Sequence, residues 1–114
     1  MQTYNLPEIL RGDTFQSRDV LIKNQTTNTP VDLTGYAIKC EFRKEIKTGT
    51  LVKTLSLGSG LTLTDAVNGI FTIDDFVVEF EVGIYWYDFQ MTSPSEIITT
   101  MFGGYMPVLQ DVTQ

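Results

Sequence analysis

Apolar and polar residues alternate with a period of two along two long segments of this chain. In residues 36–43 the apolar face contains Tyr36, Ile38, Cys40 and Phe42, and the polar face contains Lys39, Glu41 and Arg43. In residues 84–92 the apolar face contains Tyr85, Tyr87, Phe89 and Met91, and the mixed face contains Ile84, Trp86, Asp88 and Gln90. A period of two is that of a β-strand with one buried face. Both segments therefore predict strands, and we expect the second to be the central strand of its sheet.

Shorter alternating segments account for most of the remaining chain. Residues 51–57, 61–64 and 69–73 predict strands that are joined by turns at 58–60 and at Asn68-Gly69. Residues 13–23 predict a strand with a bulge, because Phe15 is out of phase with Val20 and Ile22. Residues 76–82 are divided between strand and connection, and 24–30 predict a loop.

The last strand is predicted over residues 97–109. It is interrupted by Gly103 and Gly104, and such a pair is typical of a bulge or a change of sheet. Proline has no N–H to donate to a ladder, so we place Pro7 and Pro107 at sheet edges. The chain termini are then expected on outer strands.

The residues Gly83 and Tyr85 predict a tyrosine corner at the start of the strand at 84–92. In this motif the tyrosine hydroxyl donates a hydrogen bond to an upstream backbone group, as in immunoglobulin-like sandwiches. Cys40 is the only cysteine, which excludes an intrachain disulfide, and we predict that it is a small buried thiol. We therefore predict one all-β domain over residues 1–114, an immunoglobulin-like antiparallel β-sandwich of about seven or eight strands without a disulfide.

Charge and composition narrow the choice of partners. The chain has 8 basic and 14 acidic residues, and its formal net charge is -6. Nucleic-acid affinity depends on lysine and arginine, so this balance predicts no nucleic-acid partner. No apolar run is long enough to cross a bilayer, and Met1-Gln2-Thr3-Tyr4 does not begin a secretory signal peptide. We expect no membrane insertion and synthesis in a cytoplasm.

Residues that could support chemistry are few. The chain has no histidine, and its carboxylates do not follow the alternate spacing of a calcium loop, since Asp74 and Asp75 are adjacent. A small sandwich also has little material for the cleft across which paired carboxylates hydrolyse a glycoside. We therefore predict a non-enzyme with no catalytic, cofactor-binding or metal-binding residues.

Trp86, Asp88 and Gln90 are the candidate contact residues. They share the face opposite Tyr85, where a large aromatic ring beside hydrogen-bonding groups suits a sugar platform or an interface anchor. In the alternative interpretation, Trp86 fills the seam between the two sheets or is covered by a neighbouring strand. The sequence leaves both interpretations open.

Several ordered segments resemble a family of small immunoglobulin-like modules of tailed bacteriophages, found at the N-terminus of baseplate upper proteins and as short separate virion proteins. The segments are Leu6-Pro7-Glu8-Ile9, Arg11-Gly12-Asp13-Thr14, Pro30-Val31-Asp32-Leu33-Thr34-Gly35-Tyr36, Gly83-Ile84-Tyr85-Trp86-Tyr87-Asp88-Phe89-Gln90, Gly103-Gly104-Tyr105 and Asp111-Val112-Thr113. The resemblance implies a virion building block that attaches to other phage proteins or to host surfaces, with no catalytic residues. The long receptor-binding portion of a baseplate upper protein is absent from this sequence.

Two functional hypotheses follow. The first is a structural or decoration protein of a phage virion (baseplate, tail, neck or head). It would be made in the bacterial cytoplasm and dock to other virion proteins, to further copies of itself or to the host surface. The second is a carbohydrate-binding module that recognises host surface glycans through the Trp86 face. A third hypothesis is a paired-carboxylate hydrolase, which requires a deep pocket.

Overall fold

The computed structural model describes residues 2–24, 26–46 and 49–110, all of them in β-strands, turns or irregular connections. Residues 111–113, the last segment of the phage resemblance, lie outside these ranges. The strands are β1 (Gln2–Thr3), β2 (Ile9–Leu10), β3 (Thr14–Phe15), β4 (Arg18–Leu21), β5 (Lys23–Asn24), β6 (Thr29–Pro30), β7 (Ala37–Lys44), β8 (Leu51–Leu57), β9 (Gly60–Asp65), β10 (Ile70–Ile73), β11 (Phe76–Val77), β12 (Gly83–Thr92) and β13 (Ile98–Leu109). The described residues contain no helix that could span a membrane.

Seven strands of four or more residues form two layers. The first layer has the order β13-β12-β7-β8, and the second has the order β9-β10-β4. Neighbouring strands within each layer are antiparallel, and a short parallel pairing of β8 with β9 joins the layers at their edge. In an immunoglobulin-like sandwich one sheet has three main strands, here β13, β12 and β7, and some members add a strand at its edge, here β8. The predicted fold class is therefore confirmed, with β12 central in its layer.

The inner faces of the two layers enclose one hydrophobic core that includes residues from Leu6 to Val108. The rings of Phe71 in β10 and Phe89 in β12 lie 5.7 Å apart between their centroids and connect the layers. The predicted alternation of β7 and β12 is confirmed by six core residues that are at most 5% exposed: Ile38, Cys40, Phe42, Tyr85, Tyr87 and Phe89. Burial raises the pKa of the Cys40 thiol well above its usual value, as expected for an unreactive core cysteine.

The tyrosine corner is present where the sequence predicts it. The Tyr85 hydroxyl donates a hydrogen bond of 2.6 Å to the backbone carbonyl of Glu81, four residues upstream. The Phe80 ring lies 4.8 Å from the Tyr85 ring between centroids and covers it at this end of the sandwich. The chain therefore enters its central strand in a fixed direction.

The bulge in β13 lies at a different position from the predicted one. Gly103 and Gly104 pair in regular register with Asp88 and Tyr87, and the register shifts at Met101 instead. Both glycines are required by close packing, because a Cβ atom on Gly104 would overlap the carbonyl of Tyr4. The N-terminal segment runs along this edge, and both β1 and β2 pair with β13 in the parallel direction.

Three further predictions need correction. Pro107 is not at a sheet edge, because β1 and β2 lie along the outer side of β13, whereas Pro7 does lie in that edge segment. The phase slip in 13–23 is a change of partner rather than a bulge, since β3 pairs with β11 and β4 pairs with β10. The predicted loop at 24–30 contains part of a small hairpin, in which β5 pairs with β6.

The corner hydrogen bond predicts a specific loss of stability. We expect Tyr85→Phe to lower the free energy of unfolding by about 1 kcal/mol, because the Glu81 carbonyl loses its donor. Urea denaturation of wild type and variant measures the difference. Tyr105→Phe is the control. Tyr105 is half-buried on the face of β13 that points away from the core, so we expect this variant to change the free energy of unfolding by no more than about 0.5 kcal/mol. Equal losses in both variants would contradict a special role for the corner.

Candidate functional site

The outer face of the first layer contains all three predicted contact residues. Trp86, Asp88 and Gln90 alternate with core residues along β12, so they point away from the sandwich interior, and each is half-buried. We use the term outer face for these residues and their cross-strand neighbours: Ile84, Trp86, Asp88 and Gln90 in β12, Lys39, Glu41 and Arg43 in β7, and Thr100, Gly103, Tyr105 and Pro107 in β13.

Trp86 lies on this face and does not fill the seam between the layers. Its indole Nε1 donates a hydrogen bond of 2.9 Å to the backbone carbonyl of Glu45. Its ring meets Tyr105 edge to face, with 5.5 Å between centroids and 65° between planes. The indole is therefore held in one orientation while part of its surface stays accessible. Of the two sequence interpretations, the structure supports the one that places Trp86 on a surface.

An apolar patch occupies one end of the outer face. Ile84 pairs directly with Pro107, and Trp86 pairs directly with Tyr105, so these four side chains form a block on two adjacent strands. Ile84, the second residue of β12, is 42% exposed. We call this block the apolar patch. Aromatic residues grouped in this way are typical of the centre of a protein interface.

A polar recess adjoins the patch. It has a volume of about 290 Å³, and Gly103, which has no side chain, lies opposite Asp88 at its base. The recess is lined by Thr3, Glu41, Arg43, Trp86, Tyr87, Asp88, Thr100, Gly103 and Gly104. Gln90, the third predicted contact residue, is on the same face but outside the recess. The structure thus brings together two of the three predicted residues.

Two carboxylates lie side by side in the recess. Asp88 pairs directly with Glu41 across β12 and β7, and Arg43 donates a hydrogen bond of 3.4 Å to Glu41. Partial burial raises the pKa of Asp88, and the negative charge of Glu41 raises it further, whereas Arg43 and Lys39 act in the opposite direction. The Asp88 carboxyl group is therefore easier to protonate than an ordinary aspartate.

The arrangement of these carboxylates bears on what they can do. Directly opposed residues of an antiparallel pair point to the same side of the sheet. Glu41 and Asp88 would therefore contact a ligand from the same side, whereas the acid and base of a glycosidase lie on either side of the scissile bond. The pair is suited to accepting hydrogen bonds from hydroxyl or amide groups of a bound partner.

In the described part of the chain, including the recess, no three cysteine or acidic side chains are grouped so that they could hold a metal ion. Asp74, which the sequence analysis considered with Asp75, accepts a hydrogen bond of 2.8 Å from the Thr62 hydroxyl. Asp75 accepts one from the backbone N–H of Ser17. Both carboxylates therefore take part in local structure.

The sequence analysis did not include Glu41, Arg43, Tyr105 and Gly103 in the site. The polar face of β7 was recognised, but its position beside β12 is a long-range pairing that alternation alone does not give. The sequence did indicate that Tyr105 lies on the outer face, because it follows two glycines in a strand and alternates with the core residues Met106 and Val108. Placing it next to Trp86 requires the register of β12 with β13.

Comparisons with known proteins give little further information. No protein-family model matches the sequence, and no curated protein matches it. Among solved structures, the chain is similar to Drosophila OTK, extracellular domains 3-5, with 17% sequence identity and a TM-score of 0.34. The alignment covers 97% of this chain and 33% of that chain, so this chain spans a third of its length. A TM-score this low does not define a shared topology, and the fold assignment here rests on strand order and the tyrosine corner.

The raised pKa of Asp88 predicts a pH-dependent effect on stability. Because the pKa is raised in the folded state, the ionised carboxylate is less favourable there than in the unfolded chain, whose value is near 3.8. This cost is absent below that pH and is complete above the folded pKa. We therefore expect Asp88→Asn to be more stable than wild type at neutral pH, and the difference to disappear near pH 3.

Chemical denaturation at the two pH values measures this effect. Glu79→Gln is the control, since it removes one exposed carboxylate from the segment before the tyrosine corner. A stabilisation of equal size in both variants would assign the effect to net charge instead of the Asp88 environment. In a carboxyl NMR titration, Glu41→Gln should lower the pKa of Asp88, since it removes the neighbouring negative charge.

Proposed function

We propose that this chain is a non-enzymatic structural or decoration module of a tailed bacteriophage virion that docks to neighbouring proteins through the apolar patch. The observation that carries the proposal is the patch itself: Ile84, Trp86, Tyr105 and Pro107 form a block on the outer face. Large apolar side chains grouped on an accessible face favour association with another protein, because burial removes them from water.

The surroundings of the patch also suit a protein interface. Arg43 pairs with Trp86 across β7 and β12, and the carboxylates of Glu41 and Asp88 lie next along the same strands. An aromatic centre bordered by charged groups matches the usual anatomy of interfaces, in which the rim supplies specificity and the centre supplies affinity. The hydrogen bond from Trp86 to Glu45 fixes the anchor before binding, which lowers the entropy cost of association.

The virion part of the proposal is supported by the ordered sequence resemblance to phage modules. Within one segment of that resemblance, the Asp32 carboxylate accepts a hydrogen bond of 2.9 Å from the Thr34 N–H and forms a turn before β7 begins. The proposed partners are other virion proteins and further copies of this chain. The proposed location is the assembled particle, after synthesis in the bacterial cytoplasm.

A second candidate function is recognition of host glycans, and the recess favours it. A sugar ring stacks on an aromatic face through its C–H groups, while its hydroxyls bond to carboxylates and guanidinium groups. Trp86, Asp88, Glu41 and Arg43 offer these groups around one depression. Its volume of about 290 Å³ lies near the lower end of small-molecule sites, roughly 300–1,000 Å³.

Particle incorporation tests the docking function. We expect the protein in purified particles of the phage that encodes it, and we expect Ile84→Glu to lower its copy number by about tenfold, because a charge is placed in the patch. Quantitative mass spectrometry of purified particles measures the copy number. Val67→Glu is the matched control, since Val67 is a 65% exposed valine in the turn between β9 and β10. Absence of the wild-type protein from particles would refute the virion role.

Glycan binding is tested with the same set of variants. If the recess binds sugars, Asp88→Asn and Trp86→Ala should both lose signal on a glycan array, while Ile84→Glu should retain it. If the face only docks proteins, Asp88→Asn should still enter particles and no variant should show specific glycan binding. Trp86 belongs to both sites, so Ile84 and Asp88 are the residues that separate the two functions.

A further inference from the structure

A second surface is formed at the open side of the sandwich, between β4 in one layer and, in the other, β13 with the N-terminal residues Tyr4 and Leu6 along its edge. A cleft of about 780 Å³ runs along this side. The whole of β4 and the two residues after it contribute to the lining, together with residues 99–102 of β13 and apolar core residues between them. The cleft opens into the space between the layers, whereas the polar recess lies on the outer face, and Tyr87 and Thr100 contribute to both linings.

The strand β4 has a free edge at this cleft. It is the last strand in the order of its layer and pairs only with β10 among the described strands. The N–H of Ile22 donates to the carbonyl of Gly69, which continues the ladder of β4 with β10. Since hydrogen-bonded and non-hydrogen-bonded pairs alternate in an antiparallel ladder, Arg18 and Val20 also bond to β10. The backbone groups of Asp19 and Leu21 therefore point to the open edge.

The interior of the cleft is apolar and adaptable. Phe89 and Phe102 stack with 4.7 Å between their ring centroids and form part of its wall. Met91 and Met101 also line it, and methionine side chains can repack around different neighbours. The bulge at Met101 bends β13 at this point. The cleft therefore provides an apolar floor beside an unpaired strand edge.

The charges that line the cleft are mainly positive, although the chain as a whole is acidic. Arg18 and Lys23 lie at opposite ends of the β4 lining, and neither forms an ion pair with another described residue. The Arg18 guanidinium lies 5.3 Å from the centroid of the Phe15 ring. Asp19, the one carboxylate of the lining, accepts a hydrogen bond of 2.7 Å from the Thr72 hydroxyl of the neighbouring strand. A bound segment would thus meet two available cations.

We propose that this cleft accepts an extended segment of another protein, which adds to the edge of β4 as a further strand. Alternate apolar side chains of that segment enter the cleft, and acidic side chains at its ends meet Arg18 and Lys23. This is the β-augmentation mode, in which backbone hydrogen bonds supply affinity and pockets for alternate side chains supply specificity. The proposal does not depend on the outer face, so its failure and that of the proposed function are distinguishable.

A defined peptide pair tests the proposal. The first probe is an acetylated seven-residue peptide that alternates valine and threonine between two terminal glutamates, and the second has lysine in place of each glutamate. Amide hydrogen exchange of the isotope-labelled protein is followed by NMR. At nine-tenths saturation with the glutamate peptide, the amides of Asp19 and Leu21 should exchange about tenfold more slowly. The amides of Arg18 and Val20 should change little, because they already bond to β10.

Charge reversal provides the matched variants. Arg18→Glu should weaken binding of the glutamate peptide by about fivefold and strengthen binding of the lysine peptide. Lys23→Glu, at an exposed position, tests the other end of the cleft should Arg18→Glu fold poorly. Lys39→Glu, at an exposed position of β7 outside both linings, should leave the affinity for both peptides unchanged.

Several results would overturn the proposal. One is binding of the glutamate peptide without slower exchange at Asp19 and Leu21, which would mean that no strand is added. Equal affinity for the two peptides, or no binding of either up to its solubility limit, would do the same. Sedimentation analysis could instead show a dimer that the peptide does not dissociate and that Leu21→Pro converts to a monomer. That result would assign the cleft to a second copy of this chain.

Discussion

Packing of the aromatic side chains of β12, β7 and β10 against one another is the interaction on which the rest of this structure depends. Phe42 and Tyr87 stack with 5.7 Å between centroids, and Phe71 reaches Phe89 from the other layer. Each such side chain contributes roughly 1.5–3 kcal/mol when it is removed from water. Because side chains alternate across a strand, burial of one set fixes the opposite set on the surface. The outer face is therefore a direct consequence of the core.

This relation explains which features the sequence reveals. Alternation identified β7 and β12 and the side of each that is buried, since the period of two is a local property. The corner at Tyr85 could also be predicted, because its donor and acceptor are four residues apart. Except for the local hairpin of β5 and β6, the features that needed correction depend on partners far along the chain. Gly104 is packed against Tyr4, and residues 14–21 divide between the two partner strands β11 and β10. Neither fact is encoded within a short stretch of sequence.

The candidate site was predictable to the same limited extent. Trp86 and Asp88 were found from one strand, whereas Glu41, Arg43 and Tyr105 enter through the register of β12 with its two neighbours. The cleft beside β4 was not predicted, because an unpaired edge is defined by the absence of a neighbour in three dimensions. The two proposals thus concern two surfaces of the molecule, one on the face of a layer and one at its side.

The attachment of the N-terminal segment determines how this domain would respond to a pull on its two ends. Tyr4 and Leu6 donate backbone hydrogen bonds to Gly103 and Tyr105, and the Tyr87 hydroxyl donates to the Tyr4 carbonyl from the core. Since β1 and β2 are parallel to β13, a pull that separates the two ends of the chain slides these strands past one another. Hydrogen bonds loaded in shear must break together, whereas those at a peeled edge break one after another. The domain is therefore built to resist stretching between its ends.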